Sequence, residues 1–227
     1  MFARTAIIVL LLGPAAAPAY AAVNTPARFS GGEDGLAQRI EFPEVKGDGK
    51  ITLRCAAKVR DDGDMDDNGC YLDDNNAGVF MKAINAAARK AKMIPAVIDG
   101  KKRDVYVQYR VEFRTADGKN SITIYNNPGV RENVEAYGDD HIAAQRALTR
   151  ETWQKECPRH TRFLVWAKAH VAPDGEQSNI SLAPNEGAPI TRDCEQAIIA
   201  TLAEAGFAPA LDGTEPVPSS YVEPFGN

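Results

Sequence analysis

An Asp-Gly pair between two alternating segments occurs twice in this chain, at Asp62-Gly63 and again 112 residues later at Asp174-Gly175. Before the first pair, Ile51, Leu53, Cys55, Ala57 and Val59 fall on one face of a strand, because successive strand side chains point to opposite sides. Asp-Gly is a strong hairpin signal, so a return strand is expected from Met65 to Leu72. From Asn76 or Ala77 to about Lys92, residues Phe80, Ile84, Ala87, Ala88 and Ala91 recur at helical spacing, and Pro95 ends that helix. Asp99-Gly100 then leads into the clearest strand of the chain, 104–114, with Val105, Val107, Tyr109, Val111 and Phe113 on one face. A further hairpin strand is expected at Ser121 to Tyr125.

The same order returns after residue 160. A strand from Phe163 to Val171 is followed by Asp174-Gly175 and by a helix that Thr191 caps and that carries Cys194, Ile198, Leu202 and Ala205. Pro209-Ala-Leu-Asp-Gly213 then echoes Pro95-Ala-Val-Ile-Asp-Gly100. One shared turn is cheap, but a shared order is not. The fold class expected is therefore α+β, with two tandem β-β-α-β units, each an antiparallel sheet with one helix packed on a face. In the second unit Pro216, Pro218 and Pro224 lack the N–H that a ladder needs, so its last strand is expected only as a short edge. Between the units, Asp139 to about Glu156 reads as a joining helix carrying Ile142, Ala144, Leu148 and Trp153.

The N-terminus sets the compartment. Arg4, an apolar run from Ala6 to Ala17 and the small residues around Tyr20 have the layout of a secretory signal cleaved after Ala21. The organisation expected is a signal peptide at 1–21, a leader at 22–44, a first unit at 45–126, a connecting loop and helix at 127–158, and a second, divergent unit at 159–227. No membrane span is expected in the mature chain, which is placed in the periplasm or outside the cell. A net charge of -5 and a pI near 5.3, without a long Lys/Arg block, exclude nucleic acid as the partner class.

In an oxidising space the four cysteines read as two disulfides. With Asp62 and Gly63 as the central turn residues, Cys55 stands opposite Cys70 on the core face. A cross-strand bond is expected there, the alternative being two buried thiols. Cys157 and Cys194 remain to bond each other and fasten the connector to the second unit.

Pro95-Ala-Val-Ile-Asp-Gly-Lys101 and Val107-Gln-Tyr-Arg-Val-Glu-Phe113, set behind a hairpin and an amphipathic helix, resemble the TonB C-terminal domain family. The resemblance covers about 45–115 and, more distantly, 160–225. It implies a small α+β domain with an antiparallel sheet and one helix, and a module that recognises protein segments, as family members pair a sheet edge with a short segment of an outer-membrane receptor. It carries over no catalytic residue. The membrane helix and Pro-rich rod of the energy transducers are not expected here, and neither is force transmission.

Asp61 to Asp74 is densely acidic. Read from Asp64, it offers Asp64, Asp66, Asn68 and the Cys70 carbonyl at the first, third, fifth and seventh places of a calcium loop, with Asn75 where a bidentate Glu is expected. The competing reading is a solvated hairpin that keeps an edge from aggregating. Arg89, Lys90, Lys92 and Lys101-Lys-Arg103 are of opposite sign and either offset the helix dipole or dock an acidic peptide. His141, His160 and His170 lack metal-ligand spacing, and no nucleophile-elbow, zincin or phosphate-loop motif occurs. Leu164 and Trp166 fall on the outer face of their strand, where the joining helix or a partner is expected to cover them.

The function expected is a noncatalytic, secreted or periplasmic protein-binding module that captures an envelope protein or peptide segment by strand addition. Its contact residues are expected among Leu164, Trp166, Tyr221, Val222 and Phe225, at the edge of the second unit. The alternative carried beside it is a calcium-binding structural or adhesive envelope protein, and an undetected enzyme stands behind both.

Overall fold

The computed structural model describes residues 24–45, 47–71, 77–149, 151–158, 164–184 and 190–226. The expected signal peptide, Asn75, His160 and Phe163 lie outside them. The chain is a mixed α+β structure with several antiparallel sheets. In the larger sheet, Val105–Ala116 pairs along its length with Gly49–Val59, which pairs on its other side with Met65–Tyr71. The far side of Val105–Ala116 is filled in two stretches. Lys119–Tyr125 covers residues 110–116, and Gln145–Ala147 covers residues 105–106. Phe207–Ala208 then pairs with 145–146.

The alternation read from the sequence is the burial observed. Leu53, Cys55, Ala57 and Val59 lie buried with Val105, Val107, Tyr109, Val111 and Phe113 on one face. The helix Gly78–Ala88 covers that face with Phe80, Ile84, Ala87 and Ala88. The smaller sheet has Leu164–Val171 in the middle, Gln177–Pro184 on one side and Ser219–Gly226 on the other. Its core face, with Val165, Ala167, Ala169 and Val171, packs under Cys194, Ile198 and Leu202 of the helix Arg192–Glu204. Thr191 caps that helix, its hydroxyl accepting from the Cys194 N–H at 3.2 Å.

The two hairpins share their backbone detail. Arg60 donates to the Asp64 carbonyl and Gly63 to the Arg60 carbonyl, each at 2.9 Å. Ala172 donates likewise to Glu176, and Gly175 to Ala172, at 2.8 and 2.9 Å. In each turn the aspartate accepts from the N–H two residues on, Asp62 from Asp64 and Asp174 from Glu176, at 3.0 Å. The glycines adopt φ +89° and +91°, and a Cβ on either would meet a backbone carbonyl, that of Met93 at 2.2 Å or of Phe207 at 2.4 Å. Both return strands then bulge at a residue of positive φ, Asp67 in the first and Asn179 in the second.

Turn and bulge correct the reasoning that placed the first disulfide. Asp62 and Gly63 belong to a three-residue loop closed by Arg60 and Asp64, which shifts the register by one residue. The bulge at Asp67 shifts it back. Cys55 and Cys70 therefore face each other with Cα atoms 4.0 Å apart and are bonded. The second disulfide joins Cys157 to Cys194.

Three expectations are overturned. The joining helix over 139–156 is absent. A helix spans Arg131–Tyr137, residues 145–147 form a strand, and only Trp153–Glu156 is helical beyond them. Local propensity loses there to tertiary pairing, since the Gln145 side chain brackets the backbone of Ala27, accepting from its N–H and donating to its carbonyl at 2.7 Å each. The last strand of the second half is eight residues, not a short edge. Pro224 fits because even-numbered residues of that strand turn their backbone groups away from Leu164–Val171, so no ladder bond is lost. Lastly, the leader is part of the fold. Ala27 and Leu36 are fully buried in the first core, and Thr25 exchanges backbone hydrogen bonds with Val97 at 2.8 and 2.9 Å.

Candidate functional site

A buried ion pair marks the junction of the two sheets. Arg146 sits beside the central strand of the larger sheet, and Glu223 in the last strand of the smaller one, their side chains 2 % and 4 % exposed. The guanidinium donates through Nε and Nη2 to the two carboxylate oxygens of Glu223, both at 2.7 Å. Its Nη1 reaches Glu151 at 3.1 Å, and Glu151 also accepts from the Trp153 indole. Tyr221 donates its hydroxyl to Glu223 at 2.5 Å. Burial works against the Arg146 charge, but the hydrogen bonds and attraction of Glu223 overturn it and hold the guanidinium above its ordinary pKa. Burial, then the Glu223 charge, push the Tyr221 phenol well up. Further hydrogen bonds to both members of the buried pair are what let their attraction offset the cost of desolvation.

The nominated edge, Tyr221 to Phe225, is occupied. Asn133 brackets Ser220, accepting from its N–H at 2.9 Å and donating to its carbonyl at 2.8 Å. Gln108, from the outer face of the larger sheet, donates to the Val222 carbonyl at 2.5 Å, and Tyr137 to the Pro218 carbonyl at 2.7 Å. These side chains act as a neighbouring strand would, and Pro224 has no N–H to offer. Tyr221 and Phe225 are buried in the core, with Phe225 against Trp153 at 5.3 Å between ring centroids, while Val222 is half-buried on the other face. Asn133→Ala leaves the half-buried N–H and carbonyl of Ser220 unpaired and is expected to lower stability by about 1–2 kcal/mol, read as a shift in the urea midpoint at constant slope; no shift would show that water replaces the clasp.

Nothing in the sequence pointed to these residues. Gln108 reads as a polar position on an outward face, Asn133 lies in a loop by pattern, and Arg146 falls inside the helix that does not form. Side chains that stand in for a strand have no periodicity.

The acidic hairpin does not gather its predicted ligands. Asp64 pairs with Lys92 at 2.5 Å, Asp66 with Arg60, and Asp67 with Lys58 at 2.6 Å. Asn68 donates to Asn85 at 2.7 Å and accepts from the Tyr109 hydroxyl at 2.5 Å, and Cys70 is disulfide-bonded within a strand. The Lys58 hydrogen bond holds the Asp67 carboxyl below its ordinary pKa, and the Asp64 N–H does the same for Asp62. Among the described residues no three His, Cys, Asp or Glu side chains group as a metal site. Of the basic run, Arg89, Lys90 and Lys101–Arg103 are exposed.

Leu164 and Trp166 are half-buried on the outer face of the smaller sheet. Trp153, one expected cover, packs on the opposite, core face, and Ile142 pairs with Leu211 instead. The other side of the smaller sheet, Gln177–Pro184, differs from the clasped edge. Since odd-numbered residues of Leu164–Val171 bond to Ser219–Gly226, even-numbered ones bond to Ser178, Ser181 and Ala183. Leu182 therefore turns its N–H and C=O outward, as Ile180 does its C=O, and among the described residues no strand pairs with that side. Gln-Ser-Asn-Ile-Ser-Leu-Ala-Pro carries no charge, whereas the corresponding edge of the larger sheet carries Asp66 and Asp67. The exposed Ile199 lies one turn before Ala203, whose carbonyl accepts from Gln177, and so stands along the same margin.

No family model, curated protein or solved structure matches this chain. Among the described residues no helix is long and apolar enough to cross a membrane, and the two disulfides are compatible with a secreted or periplasmic protein.

Proposed function

We propose that the chain is a noncatalytic, secreted or periplasmic module, built from two copies of one strand-strand-helix-strand unit like that of TonB C-terminal domains, which captures an envelope-protein segment by strand addition. The observation that carries this reading is the uncharged outer edge at Ile180 and Leu182. Proteins usually blunt an open edge with charge, as Asp66 and Asp67 do on the larger sheet, and an unblunted one is a template for another strand. It replaces Tyr221 to Phe225 as the docking edge, since Asn133 and Gln108 already bond Ser220 and the Val222 carbonyl, and Tyr137 the adjoining Pro218 carbonyl. The shared turn, bulge and strand order of the two halves support the repeat.

The test uses oxidised protein as bait for envelope segments, with Leu182→Pro beside the wild type. Proline removes an outward N–H while costing no internal ladder bond. Segments held by the wild type should be released by the variant at unchanged melting temperature. Equal capture by both proteins sinks the edge, and a wild type that holds no segment sinks the module.

A further inference from the structure

The same edge is complementary to itself. We propose that it pairs with a second copy of this chain across a twofold axis, joining two three-stranded sheets into one of six strands; the inference rests on the edge being open, as the proposed function does. Three outward groups per copy decide the register, the N–H and C=O of Leu182 and the C=O of Ile180. In an antiparallel pair only residues that point at each other exchange hydrogen bonds. Placing Ile180 opposite Leu182 of the second copy, and Leu182 opposite its Ile180, lets each Leu182 N–H donate to the other copy's Ile180 carbonyl, two hydrogen bonds centred on Ser181 facing Ser181. Shifting by one residue would satisfy none.

The side chains agree with that register. Ile180 and Leu182 both lean toward the apolar core of their own sheet, so each cross-strand pair on that face is Ile against Leu. The outer face brings together two small hydroxyls. No like charges meet, because the strand has no charge, whereas pairing the Met65–Tyr71 edge with itself would crowd Asp66 and Asp67 together. Pro184 limits the pairing to the central residues, since it has no N–H to add. An isologous contact of this form closes on itself and ends at two copies rather than growing into a fibre.

Ser181→Cys gives a geometric test, because a central pair that does not exchange hydrogen bonds is the arrangement in which this chain already bonds Cys55 to Cys70, with Cα atoms 4.0 Å apart. Oxidised Ser181→Cys protein is expected to form a covalent dimer under mild oxidant, while Ser178→Cys, whose two copies would lie roughly 20 Å apart at about 3.4 Å per residue, is expected not to. In sedimentation equilibrium the wild type should associate to a dimer. Leu182→Pro, which removes both Leu182 N–H hydrogen bonds, should weaken it by about tenfold or more, and Ser181→Lys, which opposes two cations at the centre, should weaken it while leaving the capture of an uncharged segment intact. A wild type that stays monomeric, a dimer indifferent to both substitutions, or cross-linking that is equal at positions 178 and 181 overturns the twofold pairing. Capture of a segment by a strictly monomeric wild type overturns it and leaves the proposed function standing, whereas a dimer that holds no segment does the reverse.

Discussion

Glu223→Gln is expected to destabilise the protein by about 3–5 kcal/mol, the usual cost of stranding one member of a buried ion pair. The partner left behind, Arg146, is 2 % exposed and receives two of its three carboxylate contacts from Glu223. Glutamine keeps the size of the side chain but puts an amide N–H2 in place of one carboxylate oxygen, and because both oxygens accept from Arg146, one Arg146 donor faces another donor whichever way the amide turns. Denaturant unfolding followed by tryptophan fluorescence would read the loss directly, because Trp153 belongs to the same network through Glu151. The double replacement Arg146→Met with Glu223→Met separates charge from packing. Removing both charges together should recover most of the loss, since well-packed apolar substitutes for buried pairs are often neutral. A loss below about 1 kcal/mol for Glu223→Gln would mean that water reaches the pair and screens it.

Replacing Cys157 and Cys194 by alanine is expected to cost a similar amount, about 4 kcal/mol on the loop-closure model. The bond closes a separation of 37 residues, against 15 for Cys55–Cys70, for which the same model gives about 3 kcal/mol. The cost has a second source in this fold. Cys157 follows the short helix Trp153–Glu156, and that helix holds Trp153 against Phe225 and, through the indole, orients Glu151 toward Arg146. Losing the disulfide should therefore loosen the ion pair as well. Combined with Glu223→Gln, the double variant should lose less than the two single effects added, because residues sharing one network are not independent. Strict additivity would show that the helix stays in place without its bond.

How far the fold was legible differs by region, and the reason is physical. Where one face of a strand is buried, period-2 alternation fixes which residues turn inward, and Val105 to Phe113 and Ile51 to Val59 face the core as their pattern requires. The disulfide between Cys55 and Cys70 was legible for a partly mistaken reason. The turn is one residue longer than Asp62-Gly63 suggests, and a bulge at Asp67, which no pattern announces, restores the register. The connector was not legible. Its conformation is decided by Gln145 gripping Ala27, 118 residues earlier, and by Arg146 gripping Glu223, 77 residues later. Single polar side chains reaching that far leave no local trace. The candidate edge was half legible: an open strand beside apolar residues was the feature to look for, but Pro216, Pro218 and Pro224 drew attention to Ser219–Gly226, which holds Pro224 alone and loses no ladder bond to it, and away from Gln177–Pro184.

The buried segment at the start of the described residues has a consequence for the order of events as the chain is made. Asn24 accepts from the Asp99 N–H and donates to the Asp174 carbonyl, Thr25 pairs with Val97, and Ala27 is held by Gln145. A polypeptide emerges from its N-terminal side first, so these residues wait for partners that follow by 62 to 150 residues: Lys92, Val97 and Asp99 first, then Asn126 and Gln145, and Asp174 last. They are first in synthesis and settle in stages. The Asn24 bond to the Asp174 carbonyl is the contact that waits longest, and a chaperone or protease that met the nascent chain before the first sheet had folded would find this stretch, with Ala27 and Phe29, still open.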